Sequence, residues 1–482
     1  MAGAAADLWE GLVAAARGEP SSPIARAALI LSADDGQPCL GWVTPVPWTG
    51  LEQRLAQTRW MPPSRGGLLI AATGGWAFAA RAVAESAGSP GQLTVADTLD
   101  APSLAHVFAA AACRHEAAAI TVSASGQTYE TRLLAHLISL AWGSRAGIPH
   151  PICAATVPGG LSLTPKTAVN ALFGAPLSVP FALAGAAIGT RRFRGAYASF
   201  AEMAYEVGRR AAALASAISL ARELRLDVVL PAWAGEGVRL WALQALRQGL
   251  GGRPHRPIWS EVRTDGDHTC PAAGPAAQRV DLARALPAGI PAPPGGTAES
   301  LAAAMTVMYA TAVFTACLGI RSGIVFTSHP AVRKYKMLLN GRPECAETTV
   351  HSDGVTRAAA QWLTARTGLA GAHLVWYSSG PPGVTATRLT EITGLRWEVH
   401  AGSRWNHHSY QAVQGESRLG VVAVVHQDPP AVRTGDQALD AALRALNAHQ
   451  VAIARATCAS LGHRALLVRV AGEGMPAEGM VA

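Results

Sequence analysis

The stretch Ala118-Ala-Ile-Thr-Val-Ser-Ala-Ser-Gly-Gln-Thr-Tyr-Glu-Thr131 decides the fold of this chain. Its first five residues are apolar or β-branched throughout, which is typical of a strand buried on both faces. Residues 123–126 break the strand, and a helical pattern follows from Thr128 to Ala141. A buried strand, a short polar turn and a helix make one unit of a parallel α/β sheet.

The same alternation continues on both sides of this stretch. Apolar runs at 67–72 and 93–97 predict strands, with helices between them, and the pattern resumes with a strand at 226–230. The sequence therefore predicts an α/β protein with two doubly wound parallel-sheet lobes and a mostly helical C-terminal segment that contains strands at 373–377 and 420–426. The expected division is an N-terminal segment (1–50), a first lobe (51–210), a second lobe (211–345) and a C-terminal segment (346–482).

Composition excludes several classes of protein. Of the 482 residues, 50% are hydrophobic and 15% charged, which excludes a disordered chain. The net charge of +8 is spread thinly and not interleaved with aromatic residues, so we expect no nucleic-acid partner. Residues 301–320 carry no charge, but a helix buried in the core explains them better than a membrane span.

The cysteines and the first residues predict a compartment. The seven cysteines have no metal-ligand spacing, and the start of the sequence lacks the pattern of a signal peptide. We therefore expect a cytoplasmic protein with no bound metal, no cofactor and no membrane partner.

The turn after the decisive strand predicts an anion site. Ser123, Ser125, Gly126 and Thr128 lie between the end of a buried strand and the start of a helix. Their hydroxyl and backbone N–H groups, with the positive end of the helix behind them, suit a phosphate. An ordinary Ser/Thr helix cap without a ligand would leave the same pattern.

This turn resembles the Ser-Lys-Ser-Gly-Thr-Thr-x-Glu-Thr loop of phosphoglucose isomerases, which holds the sugar phosphate. Residues 69–75 are similar to the family's first strand and Gly-Met-Gly-Gly turn, so Gly74 and Gly75 would line the sugar pocket. The segments 326–336 and 407–420 are similar to a late Phe-Asp-Gln-Pro segment and to a His-Ser-Thr-Gly-Gln stretch in the forms fused to transaldolase. The resemblance implies sugar-isomerase (SIS-type) lobes, aldose–ketose isomerisation of a sugar phosphate, and a homodimer.

Only some of the family's catalytic residues have a counterpart in this chain. Lys336 falls on the family's late lysine, and it is one of three lysines in the sequence. His408, with His407 beside it, matches a family histidine. Lys336 could instead be an exposed surface charge, and His408 could be a structural or surface histidine. Gln248 stands where the family has its catalytic glutamate, and an amide cannot remove a proton near neutral pH.

The family's arginine has no counterpart, because residues 146–190 contain no arginine. The sequence therefore leaves three functions open. They are a phosphosugar isomerase with altered catalytic residues, a catalytically silent protein that binds sugar phosphates, and an enzyme acting on another phosphorylated sugar.

Overall fold

The computed structural model describes residues 2–34, 37–45, 67–88, 92–112, 118–123, 128–142, 150–153, 161–162, 173, 185, 189–221, 223–253, 258–266, 277–287, 296–377, 384–428 and 432–471. The chain begins with two helices and a short antiparallel pair of strands, none of which the sequence predicted. These are α1 (Ala2–Ala16), α2 (Pro23–Leu31), β1 (Ala33–Asp34) and β2 (Gln37–Pro38). Both helices pack into the core around the long apolar helix Ala298–Ser322.

The first lobe contains a parallel sheet with the strand order β4-β3-β5-β6-β7. Its elements are β3 (Leu68–Ala72), α3 (Gly75–Ala87), β4 (Leu93–Ala96), α4 (Ala101–Ala112), β5 (Ala118–Ser123), α5 (Tyr129–Trp142), β6 (His150–Cys153) and β7 (Leu161–Ser162). The chain leaves β3 in one direction to form β4 and returns on the other side to form β5. This reversal creates a topological switch point between β3 and β5, where open α/β sheets place their ligands.

The second lobe has three described parallel strands in the order β10-β8-β9. Its elements are α6 (Thr190–Ala217), β8 (Leu224–Leu230), α7 (Glu236–Leu250), β9 (Ile258–Thr264), β10 (Gln278–Asp281), α8 (Ala298–Ser322) and α9 (Pro330–Leu338). The expected boundary at residue 210 falls inside α6, which packs on α8 of this lobe. Helix α7 packs closely on α3, since a Cβ atom at Gly237 would lie 2.3 Å from the backbone nitrogen of Ala82. This contact joins the two lobes.

Helix α8 is the uncharged stretch that the sequence predicted to be a core helix. Among the described residues it is the helix long and apolar enough to cross a membrane, and its apolar window is completely buried within the protein. The hydroxyls of Thr306, Thr311 and Thr315 donate to backbone carbonyls four residues earlier in the helix. These three hydroxyls are therefore satisfied within the helix, as their burial requires.

The C-terminal segment is a third α/β unit. It comprises β11 (Glu347–His351), α10 (Val355–Thr364), β12 (Gly371–Trp376), α11 (Ala386–Thr393), β13 (Arg396–Ala401), α12 (Gly402–His408), α13 (Tyr410–Gly415), β14 (Leu419–His426), α14 (Gln437–Leu461) and β15 (Ala465–Ala471). Helices form much of it, as predicted, but they surround a five-stranded parallel sheet in the order β11-β15-β14-β12-β13. The sequence predicted β12 and β14 and missed the other three strands.

The third unit packs against both lobes. Helix α12 contacts α7 of the second lobe, and α14 contacts α4 and α5 of the first. Because α12 begins as soon as β13 ends, it lies at the carboxyl edge of the third sheet. This arrangement carries the α12 side chains to the switch point of the first sheet.

Candidate functional site

The turn after β3 forms the floor of the candidate site. Gly74 has φ +63° and ψ −139°, a backbone conformation that strongly favours glycine. A Cβ atom there would lie 3.1 Å from Nδ1 of His407 and 3.3 Å from Nε2 of Gln244. The turn of the first lobe therefore lies directly against side chains from α12 and α7. Gly75, the other predicted sugar-pocket residue, is buried as the first residue of α3.

Hydroxyl groups gather at the neighbouring strand end. Ser123 ends β5, and its Oγ donates a hydrogen bond of 3.0 Å to Oγ1 of Thr128, which precedes α5. The hydroxyls of Thr131 and Thr73 lie 3.4 Å apart. The structure thus joins two of the predicted phosphate ligands at the switch point, whereas Ser125 and Gly126 lie outside the described residues.

A carboxylate and an imidazole face each other beside the Gly74 turn. Glu130, on the first turn of α5, is 1% exposed, and its Oε1 lies 3.9 Å from Nε2 of His407. Burial lowers the pKa of His407, and the charge of Lys336 adds to this effect, while Glu130 and Asp97 oppose it. His407 is therefore neutral near pH 7 and able to accept a proton.

Several buried polar atoms around this pair have no hydrogen-bond partner among the described residues. They are both carboxylate oxygens of Glu130, Nε2 of His407, Oε1 of Gln244 and the hydroxyl of Tyr335. Burial raises the pKa of Tyr335, and the nearby charge of Glu130 contributes to that rise. Buried polar groups in proteins are nearly always paired, so a concentration of unpaired ones indicates a place where a polar ligand binds.

The amides of α7 form one wall of the site. Nε2 of Gln244 donates to Oε1 of Gln248 over 2.8 Å, and both side chains are buried. Gln248, which the sequence resemblance predicted to replace a catalytic glutamate, therefore lies one contact away from the Gly74 turn. It can orient Gln244, but it has no basicity of its own.

The structure places the two remaining predicted catalytic residues, Lys336 and His408, in different surroundings. Lys336 is exposed on α9 and close enough for its charge to lower the pKa of His407 and of His329. His408 faces away from Glu130: its Nδ1 lies 2.7 Å from Oγ of Ser409, and its ring packs near His400. The histidine beside Glu130 is thus His407. The adjacent histidines at 407 and 408 were the signal in the sequence, but their spacing alone does not show which one faces the site.

A second, partly buried cluster lies between the second lobe and the third sheet. His373 pairs across the strands with Glu398, and His400 follows on the same face, so that one ligand atom from each lies within 4.8 Å of the others. The cluster does not fit a metal ion. Both oxygens of Glu398 accept hydrogen bonds from Arg247, and Nδ1 of His373 accepts one from Trp405, which leaves the proton of this neutral ring on Nε2.

Comparisons with known proteins found solved structures that have low similarity to this chain. No protein-family model matches the chain, and no curated protein matches it in sequence. A hypothetical protein from Thermus thermophilus aligns with 70% of this chain and 94% of its own, at 14% identity and a TM-score of 0.47.

Two phosphosugar enzymes also align. Tagatose-6-phosphate ketose/aldose isomerase from Escherichia coli covers 60% of this chain and 92% of its own, at 11% identity and a TM-score of 0.35. The C-terminal domain of glucosamine-fructose-6-phosphate aminotransferase from Francisella tularensis covers 65% and 95%, at 9% identity and a TM-score of 0.33. All three TM-scores are below 0.5, so the α/β assignment rests on the parallel sheets of this chain.

Proposed function

We propose that this chain is an SIS-type phosphosugar isomerase that interconverts an aldose phosphate and a ketose phosphate at the Gly74 turn. The observation that carries the proposal is the buried Glu130–His407 pair, which has unpaired polar atoms at the switch point of a parallel sheet. The hydroxyls of Ser123 and Thr128 support a phosphate subsite on the neighbouring strand end.

In this proposal Glu130 takes the role that an amide at position 248 cannot perform. Its carboxylate removes the proton from the carbon next to the sugar carbonyl, and the released electron pair forms the carbon–carbon double bond of an enediol. The neutral imidazole of His407 moves the hydroxyl proton between the two oxygens. Return of the first proton to the neighbouring carbon completes the isomerisation, so no redox cofactor takes part.

Exchange of the substrate proton with solvent tests the reaction directly. We expect the purified protein, incubated with glucose 6-phosphate or fructose 6-phosphate in heavy water, to exchange the C2 or C1 proton. Glu130→Gln should lower the exchange rate about 10²–10⁴-fold, because it removes the base. Glu416→Gln, another buried carboxylate in a different part of the fold, is the matched control and should exchange at the wild-type rate.

Ligand binding measured together with proton exchange distinguishes an isomerase from a protein that binds sugar phosphates without catalysis. The Gln248 amide in the family's glutamate position favours this second candidate. A thermal shift with sugar phosphates that Thr128→Val abolishes, together with no proton exchange, would support silent binding. No thermal shift with any sugar phosphate would refute the phosphate subsite itself. The homodimer and the cytoplasmic location stay predictions.

A further inference from the structure

Three buried tyrosines belong to one cluster between the first lobe and the third α/β unit. They are Tyr335 on α9, Tyr377 directly after β12 and Tyr410 on α13. The hydroxyl of Tyr377 donates to Oδ1 of Asn406 over 2.6 Å. The hydroxyl of Tyr410 donates to Oγ of Ser460 over the same distance. Two of the three tyrosines therefore satisfy their hydroxyls inside the protein, as buried tyrosines usually do.

Tyr335 differs from the other two. It is 0% exposed, and its ring packs edge-on against Tyr410 with the ring centroids 4.9 Å apart. Its hydroxyl has no hydrogen-bond partner in the part of the chain that the structure describes. A buried hydroxyl without a partner costs free energy, so its presence here requires a reason other than the stability of the fold.

Tyr335 lies beside the proposed base. Glu130 and Leu134 are four residues apart on α5 and share one face of that helix. Since Leu134 is buried in the same cluster as Tyr335, this face of α5 is turned towards the tyrosines. Burial raises the pKa of Tyr335 and the charge of Glu130 raises it further, which requires the two side chains to be close. The phenol is therefore protonated near pH 7 and able to donate.

The two neighbouring groups do not satisfy each other. Both oxygens of Glu130, like the Tyr335 hydroxyl, lack a hydrogen-bond partner among the described residues. A donor and an acceptor that stay apart in a buried site leave room for a polar group of a ligand between them. A sugar bound with its reacting carbon at Glu130 would bring such a group, a hydroxyl, to Tyr335.

We propose that the Tyr335 hydroxyl donates a hydrogen bond to the C3 hydroxyl of the sugar and makes the protein specific for sugar phosphates that carry this group. The inference rests on the proposed isomerase function. Glu130 takes the proton from C2 of the aldose, and C3 is the next carbon towards the phosphate. The phenol keeps its proton throughout, so Tyr335 recognises the substrate without taking part in proton transfer. A site built to bond a substrate hydroxyl rejects an analogue without it, because the buried donor then stays unpaired.

The ratio of exchange rates for two substrates below saturation measures this contact. We expect the wild-type protein to exchange the C2 proton of glucose 6-phosphate about 10–100-fold faster than that of 3-deoxyglucose 6-phosphate, which lacks the C3 hydroxyl. Tyr335→Phe keeps the ring, so it should slow exchange with glucose 6-phosphate by a similar factor. Exchange with the deoxy analogue should change less than about 3-fold, since that analogue makes no bond to lose. A substitution that only loosened the fold would slow both substrates alike.

Stability provides a second measurement that needs no substrate. Tyr335→Phe removes a hydroxyl without a described partner and should leave the urea midpoint of the protein at or above the wild-type value. Tyr410→Phe is the matched control, because its ring touches Tyr335 but its hydroxyl bonds Ser460. This control should lower the urea midpoint and leave the ratio of exchange rates at its wild-type value.

The outcomes distinguish this inference from the function on which it rests. A ratio that Tyr335→Phe leaves unchanged, or a loss of stability as large as that of Tyr410→Phe, would overturn the role of Tyr335 alone. Thermal shifts that favour glucose 6-phosphate over the deoxy analogue in wild type but not in Tyr335→Phe, without any proton exchange, would overturn the isomerase function and keep the contact. If wild type shows neither exchange nor a thermal shift with glucose 6-phosphate, both are refuted.

Discussion

Replacing Arg247 by methionine should destabilise the protein more than any change to an exposed ion pair. The side chain is 2% exposed and lies 4.1 Å above the ring of Trp259. Its Nε donates to the carbonyl of Ser260 at 2.7 Å, and its Nη1 donates to Oγ of Ser409 at the same distance. Its Nη2 contacts both oxygens of Glu398 at 3.1 and 3.0 Å. Arg247 therefore ties the second lobe to the third unit, which carries His407.

The magnitude follows from what the substitution leaves behind. Removing one partner of a buried ion pair costs about 3–5 kcal/mol, since the other charge stays buried without compensation. Glu398 keeps contacts with His400 at 2.9 Å and with Arg396 at 3.3 Å. We therefore expect Arg247→Met to lower the free energy of unfolding by about 3 kcal/mol, the lower end of that range.

Urea unfolding followed by tryptophan fluorescence measures this change. A double-mutant cycle with Glu398→Gln should give a coupling energy of at least about 1 kcal/mol. The exposed pair of Arg209 and Glu206 is the comparison, and Arg209→Met should change the unfolding midpoint little. An Arg247→Met variant as stable as wild type, or effects that simply add in the cycle, would refute the assignment of this ion pair as a structural tie.

Three further predictions concern the site and its histidines. Gly74→Ala should abolish the thermal shift with sugar phosphates, because the new Cβ pushes against His407; Gly435→Ala, at a positive φ with open space, should retain it. Mixing Glu130→Gln with His407→Gln protein should restore no proton exchange, since one chain supplies both residues; recovery would show that the site is shared between subunits. Burial, and to a smaller extent nearby positive charge, lowers the pKa of His329 in the folded protein to about 4. As the pH falls below about 6.5, His329 therefore binds a proton in the unfolded protein before it does so in the folded protein. Stability in urea should therefore decline between about pH 6.5 and 4, and His329→Gln should show a shallower decline than wild type.

Local sequence was enough for the elements with strong patterns. The run at 118–122 and the turn after it predicted β5 and α5, and the uncharged stretch 301–320 predicted the buried core helix α8. The strands β11 and β13 escaped prediction because they carry polar or charged residues, such as Glu347 and Arg396, whereas β15 was missed although it is apolar except for Arg469. These side chains form ion pairs in the folded protein, and those partners are far away in the sequence.

The sequence by itself determined the α/β class and the position of Ser123 and Thr128 between a buried strand and a helix. Only the tertiary structure decided that Glu130 faces His407 and that His408 points to another cluster. The reason is physical. Periodicity and turn chemistry act over a few residues and are readable in order, whereas Glu130 and His407 meet because two separate parallel sheets pack with their carboxyl edges at one place.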